Sequence, residues 1–372
     1  MIYLDNGATS FPKPPQVVRA AARAIERCAN PGRGGYGAAM RAARLIYESR
    51  ERAAKLFGCQ PEQVVFTPSC TYGLNAAIRS LVSSGDKIAV SGFEHNAVTR
   101  ALHAQKARLL VCGRRLFDWE DTLKDLKNAL ENGAKCAVFT HVSNVFGYIL
   151  PIQEVAALCR RFGAKLIIDA AQSAGMLPLN MADLGADFIA MPGHKGLLGP
   201  QGIGLLLCAG EVQPLVMGGT GSESRVQTMP EYLPERMEAG TMNVPGIGGL
   251  LAGMELVSQK GVDTILRREQ KLAKLCADAL HHMGMEVFAG EHQSGTVSFR
   301  PGWDCEDLAE KLSGRGIAVR AGLHCAPLAH ESAGTLDTGT VRVSFGHASH
   351  HHDLSGFLTA MDRILWEKGH RS

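Results

Sequence analysis

The chain has 372 residues, with 39 Lys and Arg against 36 Asp and Glu, a formal net charge of +3. That length exceeds the ~250–300 residues over which a single hydrophobic core keeps growing, so two domains are expected, and 45% hydrophobic with 20% charged residues is a globular composition. A near-neutral balance argues against binding nucleic acid or a membrane surface, and no apolar run approaches the ~20 residues of a membrane span.

The first residues, Met1-Ile2-Tyr3-Leu4-Asp5-Asn6, lack the basic and apolar blocks of a signal peptide, which predicts a cytoplasmic protein. Residues 1–15, with Pro12, Pro14 and Pro15, read as an arm packed on one of the domains. From residue 64 short β-branched runs alternate with helix-length stretches; the predicted strands are 64–67, 88–91, 109–112, 136–142, 166–169, 188–191 and 203–208. Continuous apolar runs of this length suit strands buried on both faces of a mostly parallel sheet. Residues 155–162, stopped by Gly163, read as one of the covering helices. The alternation predicts a doubly wound α/β domain over residues 16–255.

After Gly248 the pattern changes. A long helix is expected from about 249 to 280, broken near Lys260-Gly261. Strands at 287–288, 296–299, 317–320 and 341–345 follow, with helices at 304–312 and 353–366. This predicts a smaller α+β domain over residues 256–372. No two of the ten cysteines form a Cys-x-x-Cys pair, so zinc ribbons, redox motifs and iron–sulfur clusters are not expected. Most of these cysteines read as small core residues.

In an open α/β sheet, ligands sit beyond the carboxyl ends of the strands. Asp169 ends one predicted strand, and Lys195 follows the next in Pro192-Gly193-His194-Lys195-Gly196. A lone lysine is ordinarily a solvated charge. A lysine among glycines, paired with an acid at the neighbouring strand end, suits pyridoxal phosphate chemistry. That chemistry needs an amine for the cofactor aldehyde and a carboxylate to keep the pyridine nitrogen protonated. The first strand leads into Ser69-Cys70-Thr71-Tyr72-Gly73, a phosphate seat at a helix start or simply an N-capped helix. His95 could stack on a flat cofactor, and Asn144 and Gln172 could hydrogen-bond a ring hydroxyl. The glycine-rich segment 218–222 has no strand-to-helix context and reads as a loop.

Several motifs together resemble the cysteine desulfurase and selenocysteine lyase branch of the class V aminotransferase family. They are Tyr3-Leu4-Asp5-Asn6-Gly7-Ala8-Thr9, Glu94-His95-Asn96, His141-Val142-Ser143-Asn144-Val145-Phe146-Gly147 and Asp169-Ala170-Ala171-Gln172. Gly193-His194-Lys195, Glu238-Ala239-Gly240-Thr241 and Arg320-Ala321-Gly322-Leu323-His324-Cys325-Ala326-Pro327 complete the set. The last is similar to the nucleophile loop of the group II desulfurases. The resemblance implies the type I pyridoxal phosphate transferase fold, with a mostly parallel seven-stranded sheet and a smaller C-terminal α+β domain. It implies pyridoxal 5'-phosphate as cofactor and a homodimer. Lys195 would hold the cofactor, Asp169 would pair with its ring nitrogen, and His95 would stack on the ring. Gln172 and Asn144 would meet the ring oxygen. Cys70, Thr71 and His194 would bind the phosphate, with Thr241 reaching across from the dimer partner. Arg342 would clamp the substrate carboxylate through its planar fork, with His324 and Asn144 also near the substrate. Cys325 would be the nucleophile, helped toward thiolate by the neighbouring imidazole.

The implied activity converts L-cysteine to L-alanine, leaving a persulfide on Cys325 that passes to an acceptor protein. Selenocysteine lyase on L-selenocysteine is the nearest alternative. A class V aminotransferase would have no need of Cys325, and a weakly active scaffold for a sulfur acceptor is a further reading. Pro192, Cys70, Tyr72 and Gly7 depart from the family pattern without removing a reacting group. His347, His350, His351 and His352 invite a metal reading, but no second ligand set accompanies them, and a solvated turn before the last helix is expected.

Overall fold

The computed structural model describes residues 1–32 and 34–369. After β1 (Ile2–Tyr3), two helices, α1 (Pro15–Arg27) and α2 (Gly37–Phe57), precede the main sheet. Its strands are β2 (Val64–Thr67), β3 (Lys87–Ser91), β4 (Arg108–Cys112), β5 (Cys136–Thr140), β6 (Lys165–Asp169), β7 (Phe188–Pro192) and β8 (Gly204–Cys208). Between them run α3 (Cys70–Leu81), α4 (Asn96–Ala104), α5 (Trp119–Glu131), α6 (Ile152–Phe162) and α7 (Met181–Leu184). The sheet order is β2-β8-β7-β6-β5-β3-β4, with β8 antiparallel to both neighbours and the other pairs parallel. Strands β2, β5, β7 and β8 are buried along their whole length, as their unbroken apolar sequence requires. Apolar cores lie on both faces, one around Phe139, Phe146 and Leu205, the other around Leu74, Ile78 and Val138.

An irregular stretch leads to α8 (Val244–Lys260) and α9 (Val262–His282). Then come β9 (Glu286–Phe288), β10 (Thr296–Arg300), α10 (Cys305–Ser313), β11 (Ile317–Ala318), β12 (Arg320–Gly322), α11 (Pro327–Ser332), β13 (Thr340–Ser344) and α12 (His351–Gly369). Strands β12-β13-β10-β9 form an antiparallel sheet. Its core takes in α9, α10 and α12 and also buries Leu4. The N-terminal arm therefore packs on the C-terminal unit, with β1 pairing β11 in parallel. No described helix is long and apolar enough to cross a membrane.

Three expectations are corrected. The strand expected over 136–142 ends at Thr140, where the Thr140 hydroxyl donates to the Val142 carbonyl and turns the chain toward the site. The strand expected over 317–320 is two strands in different sheets, β11 and β12. The helix expected from about 249 starts earlier, at Val244, capped by the Asn243 side chain, which accepts from the Gly246 N–H. Its glycines disguise it, because Gly disfavours helix by about 1 kcal/mol. They are needed for close approach, since a Cβ on Gly248 would lie 3.3 Å from that of Ala24 in α1. The break near Lys260-Gly261 is as expected, with Gly261 at φ 77° between the two helices.

Candidate active site

The carboxyl ends of β2, β3, β5, β6 and β7 open on one cleft. Cys70, Thr71, His95, Asn144, Asp169, Gln172, His194 and Lys195 all line it. Eight of the residues singled out from sequence are thus brought together by the strand order. Asp169 ends β6 buried, its Oδ1 accepting the Ala171 N–H at 2.8 Å. The Cys70 thiol donates to the same oxygen at 3.5 Å. Burial, then the charge of Asp169, pushes the Cys70 thiol up, so it stays a protonated donor. What α3 offers an anion is its first turn of N–H groups, which have no partner within the helix. Ser69 caps that turn, accepting from the Tyr72 N–H.

Lys195 follows β7 on a loop pinned to the N-terminal arm. The His194 carbonyl accepts from the Ser10 N–H and from Thr9, Ser10 and Lys13 side chains. Burial holds the Lys195 amine below its ordinary value, Arg342 adds to this, and Asp169 opposes it. Burial also pushes His194 down to about 4, so it is neutral near pH 7. His95 caps α4, its Nδ1 accepting the Ala97 N–H at 3.0 Å, which places a ring proton on Nε2. Burial lowers His95 as well, against the pull of Asp169. Gln172 donates to the Gly7 carbonyl at 3.0 Å and ties the arm to the cleft.

Asp5 and Arg320, assigned no role from sequence, surround Arg342 with charge. Asp5 accepts from Arg342 Nη2 at 2.8 Å and from Arg320 Nη2 at 2.8 Å. Arg342 Nη1 donates to the Asn144 carbonyl at 2.7 Å, while its buried Nε has no partner. Gly7 allows this approach, because a Cβ there would sit 3.2 Å from the Arg342 Cζ. With Asp5 also held by Arg320, Arg342→Lys should leave Asp5 paired. It should raise KM for the substrate roughly 10–100-fold with a smaller change in kcat, because an ammonium cannot reproduce the fork. Steady-state kinetics of the variant check this split, and an unchanged KM would exclude Arg342 from substrate binding.

Cys325 is the one exposed cysteine among the described residues. Its carbonyl accepts the Asn96 N–H at 2.8 Å, and the Asn144 side chain donates to the His324 carbonyl at 2.8 Å. The His324 ring is held by the Arg320 carbonyl and His330 and is not among the groups lining the cleft. Burial pushes His324 down to about 3, so near pH 7 it puts no positive charge beside the thiol. Arg320 lies close enough to interact with Cys325. Thr241 lies apart, exposed in a separate cleft with Gly219, Thr220, Gly221 and Tyr47, near the buried Arg50–Glu238 ion pair. Within one chain it does not meet the other site residues.

A second cavity shares Lys195 and Gln172 with the cleft and is lined by Asn6, Glu269 and His347 from the arm and the C-terminal unit. Asn6 Oδ1, Glu269 Oε2 and His347 Nδ1 are all buried there without a protein partner. Of the other tail histidines, His350 Nδ1 meets Arg268 at 3.1 Å and His351 begins α12. No group of three metal-ligating side chains forms among the described residues. Burial raises Glu269 from 4.5 to about 8, opposed only by Arg268. Stability from this acid is complete below pH 4.5 and is lost as pH rises from 4.5 through 8, on the order of 5 kcal/mol. Glu269→Gln should therefore melt like the wild type near pH 4.5 and progressively higher than it toward pH 9, as thermal denaturation across pH would show.

The sheet order, with a lysine and a carboxylate at adjacent strand ends, defines an enzyme of the type I pyridoxal phosphate transferase fold. The class V aminotransferase pattern matches residues 2–357, and the chain belongs to that family. A protein of Methanothermobacter thermautotrophicus named a probable cysteine desulfurase is 32% identical over 98% of this chain and 94% of its own. One of the same name from Pyrococcus abyssi is 31% identical with the same coverage. A solved cysteine desulfurase structure from Thermococcus onnurineus superimposes with a TM-score of 0.89 at 32% identity, covering 98% of this chain and 94% of that one. One from Escherichia coli gives 0.85 at 27% identity, again over 98% and 94%.

Proposed function

We propose that the chain is a pyridoxal phosphate-dependent cysteine desulfurase, converting L-cysteine to L-alanine and leaving the sulfur as a persulfide on Cys325. The observation that carries this reading is an exposed cysteine on a turn hydrogen-bonded to Asn96 and Asn144 at the cleft. A transaminase has no use for such a thiol.

The donor set fits the cofactor: a desolvated amine, a buried carboxylate and a helix N-terminus share one cleft. Lys195 would hold it, Asp169 would pair with the ring nitrogen, His95 would stack on the ring, and Gln172 and Asn144 would meet the ring oxygen. Thr71, His194 and the backbone of Cys70 would seat the phosphate. Once bound, pyridoxal phosphate would supply an electron sink for charge at the substrate α-carbon. The protein's part is then positional and acid–base. Arg342 holds the substrate carboxylate. Lys195, its amine kept available by burial, takes the α-proton and holds it. The Cys325 thiolate attacks the substrate sulfur, so that an S–S bond forms as the Cβ–S bond breaks. The electron pair left on the β-carbon takes up a proton to make the methyl group, Lys195 returns its proton to the α-carbon to complete alanine, and no external oxidant is needed.

The exposed persulfide would pass to the thiol of an acceptor protein. A homodimer would bring Thr241 to the second subunit's phosphate. Support for that comes from exposed apolar side chains on α1, α2 and the segment after β8, namely Ile25, Met40, Tyr47, Met217 and Tyr232.

The test is product analysis with cysteine and added thiol. Alanine with sulfide supports desulfuration, whereas a keto acid and aminated cofactor would replace it with transamination. A cofactor-loaded protein that makes no alanine from cysteine but does from selenocysteine would be a selenocysteine lyase. Failure to bind cofactor would leave the scaffold reading.

A further inference from the structure

The turn presenting Cys325 is strained. His324 (φ 51°) and Cys325 (φ 56°) are consecutive left-handed residues, spanned by an Ala326 N–H that donates to the Leu323 carbonyl at 2.9 Å. Such a turn favours Asn-Gly, because side-chain-bearing residues meet steric resistance there. It persists only where its surroundings impose it.

Behind the turn runs a chain of side chains that ends on the backbone. Thr335 Oγ1 lies 2.7 Å from His330 Nδ1, His330 Nε2 lies 3.4 Å from His324 Nδ1, and His324 Nε2 lies 3.3 Å from the Arg320 carbonyl. That carbonyl can only accept, so a proton on His324 Nε2 meets it and leaves His324 Nδ1 to accept from His330 Nε2. His330 Nδ1 then faces the Thr335 hydroxyl, which also reaches the His330 carbonyl at 3.4 Å. Burial keeps both rings neutral, with His324 pushed down to about 3 and His330 to about 4. The two rings are nearly parallel, at 9°, and His330 and Thr335 are fully buried. The chain thus reaches from the buried Thr335 to the Arg320 carbonyl before the turn and the His324 ring within it.

We propose that Thr335 and His330 are positioning residues for sulfur transfer, holding His324 and so the left-handed turn that presents the Cys325 thiol to the substrate. The proposal rests on Cys325 being the nucleophile. Neither residue touches substrate or cofactor; both act through His324.

The test compares Thr335→Val, which keeps the shape and removes the hydroxyl, with Thr335→Ser, which restores it, in the cofactor-loaded enzyme. Thr335→Val should lower kcat about tenfold, the scale of a small misplacement of a reacting group, with KM for cysteine and the visible absorbance of the cofactor unchanged. It should also change the rate of Cys325 alkylation by iodoacetamide at least threefold, and Thr335→Ser should restore both. His330→Leu, which has neither a donor toward His324 nor an acceptor for Thr335, should repeat the kcat loss and serves if Thr335→Val does not fold. Wild-type kcat and alkylation rates in these variants would overturn the proposal. If the enzyme proved not to be a desulfurase, the alkylation rates would still report on the turn, so the two failures are distinguishable.

Discussion

Cys325→Ala is expected to release no alanine or sulfide from cysteine, a loss of at least ~10³-fold, as for removal of a covalent nucleophile in other enzymes, while the cofactor stays bound. Among the described residues no other cysteine is exposed. Seven of the remaining nine cysteines are buried. Burial pushes Cys59 up to about 11, and Cys112 and Cys159 up to about 12, so at neutral pH they are not nucleophiles. Cys70 lies in the cleft, but burial and Asp169 keep it protonated. The variant should fold as the wild type does, because Cys325 is exposed and alanine meets no more resistance than cysteine at φ 56°. Three readings decide the result together: alanine by chromatography, cofactor by absorbance and folding by thermal melt. Wild-type turnover in a folded, loaded variant would mean that sulfur leaves by another route. Cys325→Ser should be as inactive, since a hydroxyl cannot form the S–S bond.

The parts of this molecule that were legible in sequence are those set by local pattern. Seven apolar runs marked the seven strands of the main sheet, because a strand covered on both faces leaves no polar alternation. Reading the residues after each strand then gathered Asp169, Lys195, His95 and Asn144 into one cleft. What stayed hidden depends on contacts between distant segments. Asp5 meets Arg320 and Arg342 across more than 300 residues of chain, brought together by the pairing of β1 with β11 and the bridge of Asp5 with Ser344. The early start of α8 was masked by glycines whose reason is the approach of α1. His324 reads in sequence as an imidazole that helps the adjacent thiol toward thiolate; its burial, and its contacts with His330 and the Arg320 carbonyl, depend on segments that no local pattern shows. His330 and Thr335 carry no motif in the sequence, and their link to His324 exists only through hydrogen bonds between side chains.

Lys195→Met should abolish turnover, by at least the 10²–10⁴-fold that a positioned proton-transfer group contributes. It should also remove the absorbance of covalently held cofactor. A second effect separates the loss of chemistry from a loss of structure. The Lys195 amine is depressed below its usual 10.5 by burial and by Arg342. A depressed lysine carries no penalty above pH 10.5, where folded and unfolded chains both hold it neutral. The penalty grows as pH falls toward the folded value, because only the unfolded chain gains the proton freely. The cofactor-free Lys195→Met protein should therefore melt higher than cofactor-free wild type at neutral pH, and the gain should fade above pH 10.5. Lys195→Arg keeps a permanent charge beside Arg342, so it should be equally inactive without the gain. An inactive Met variant that melts lower would mean that Lys195 is held by packing alone and that its amine is not strained. An active one would remove Lys195 from the reaction and return the search to the other groups lining the cleft.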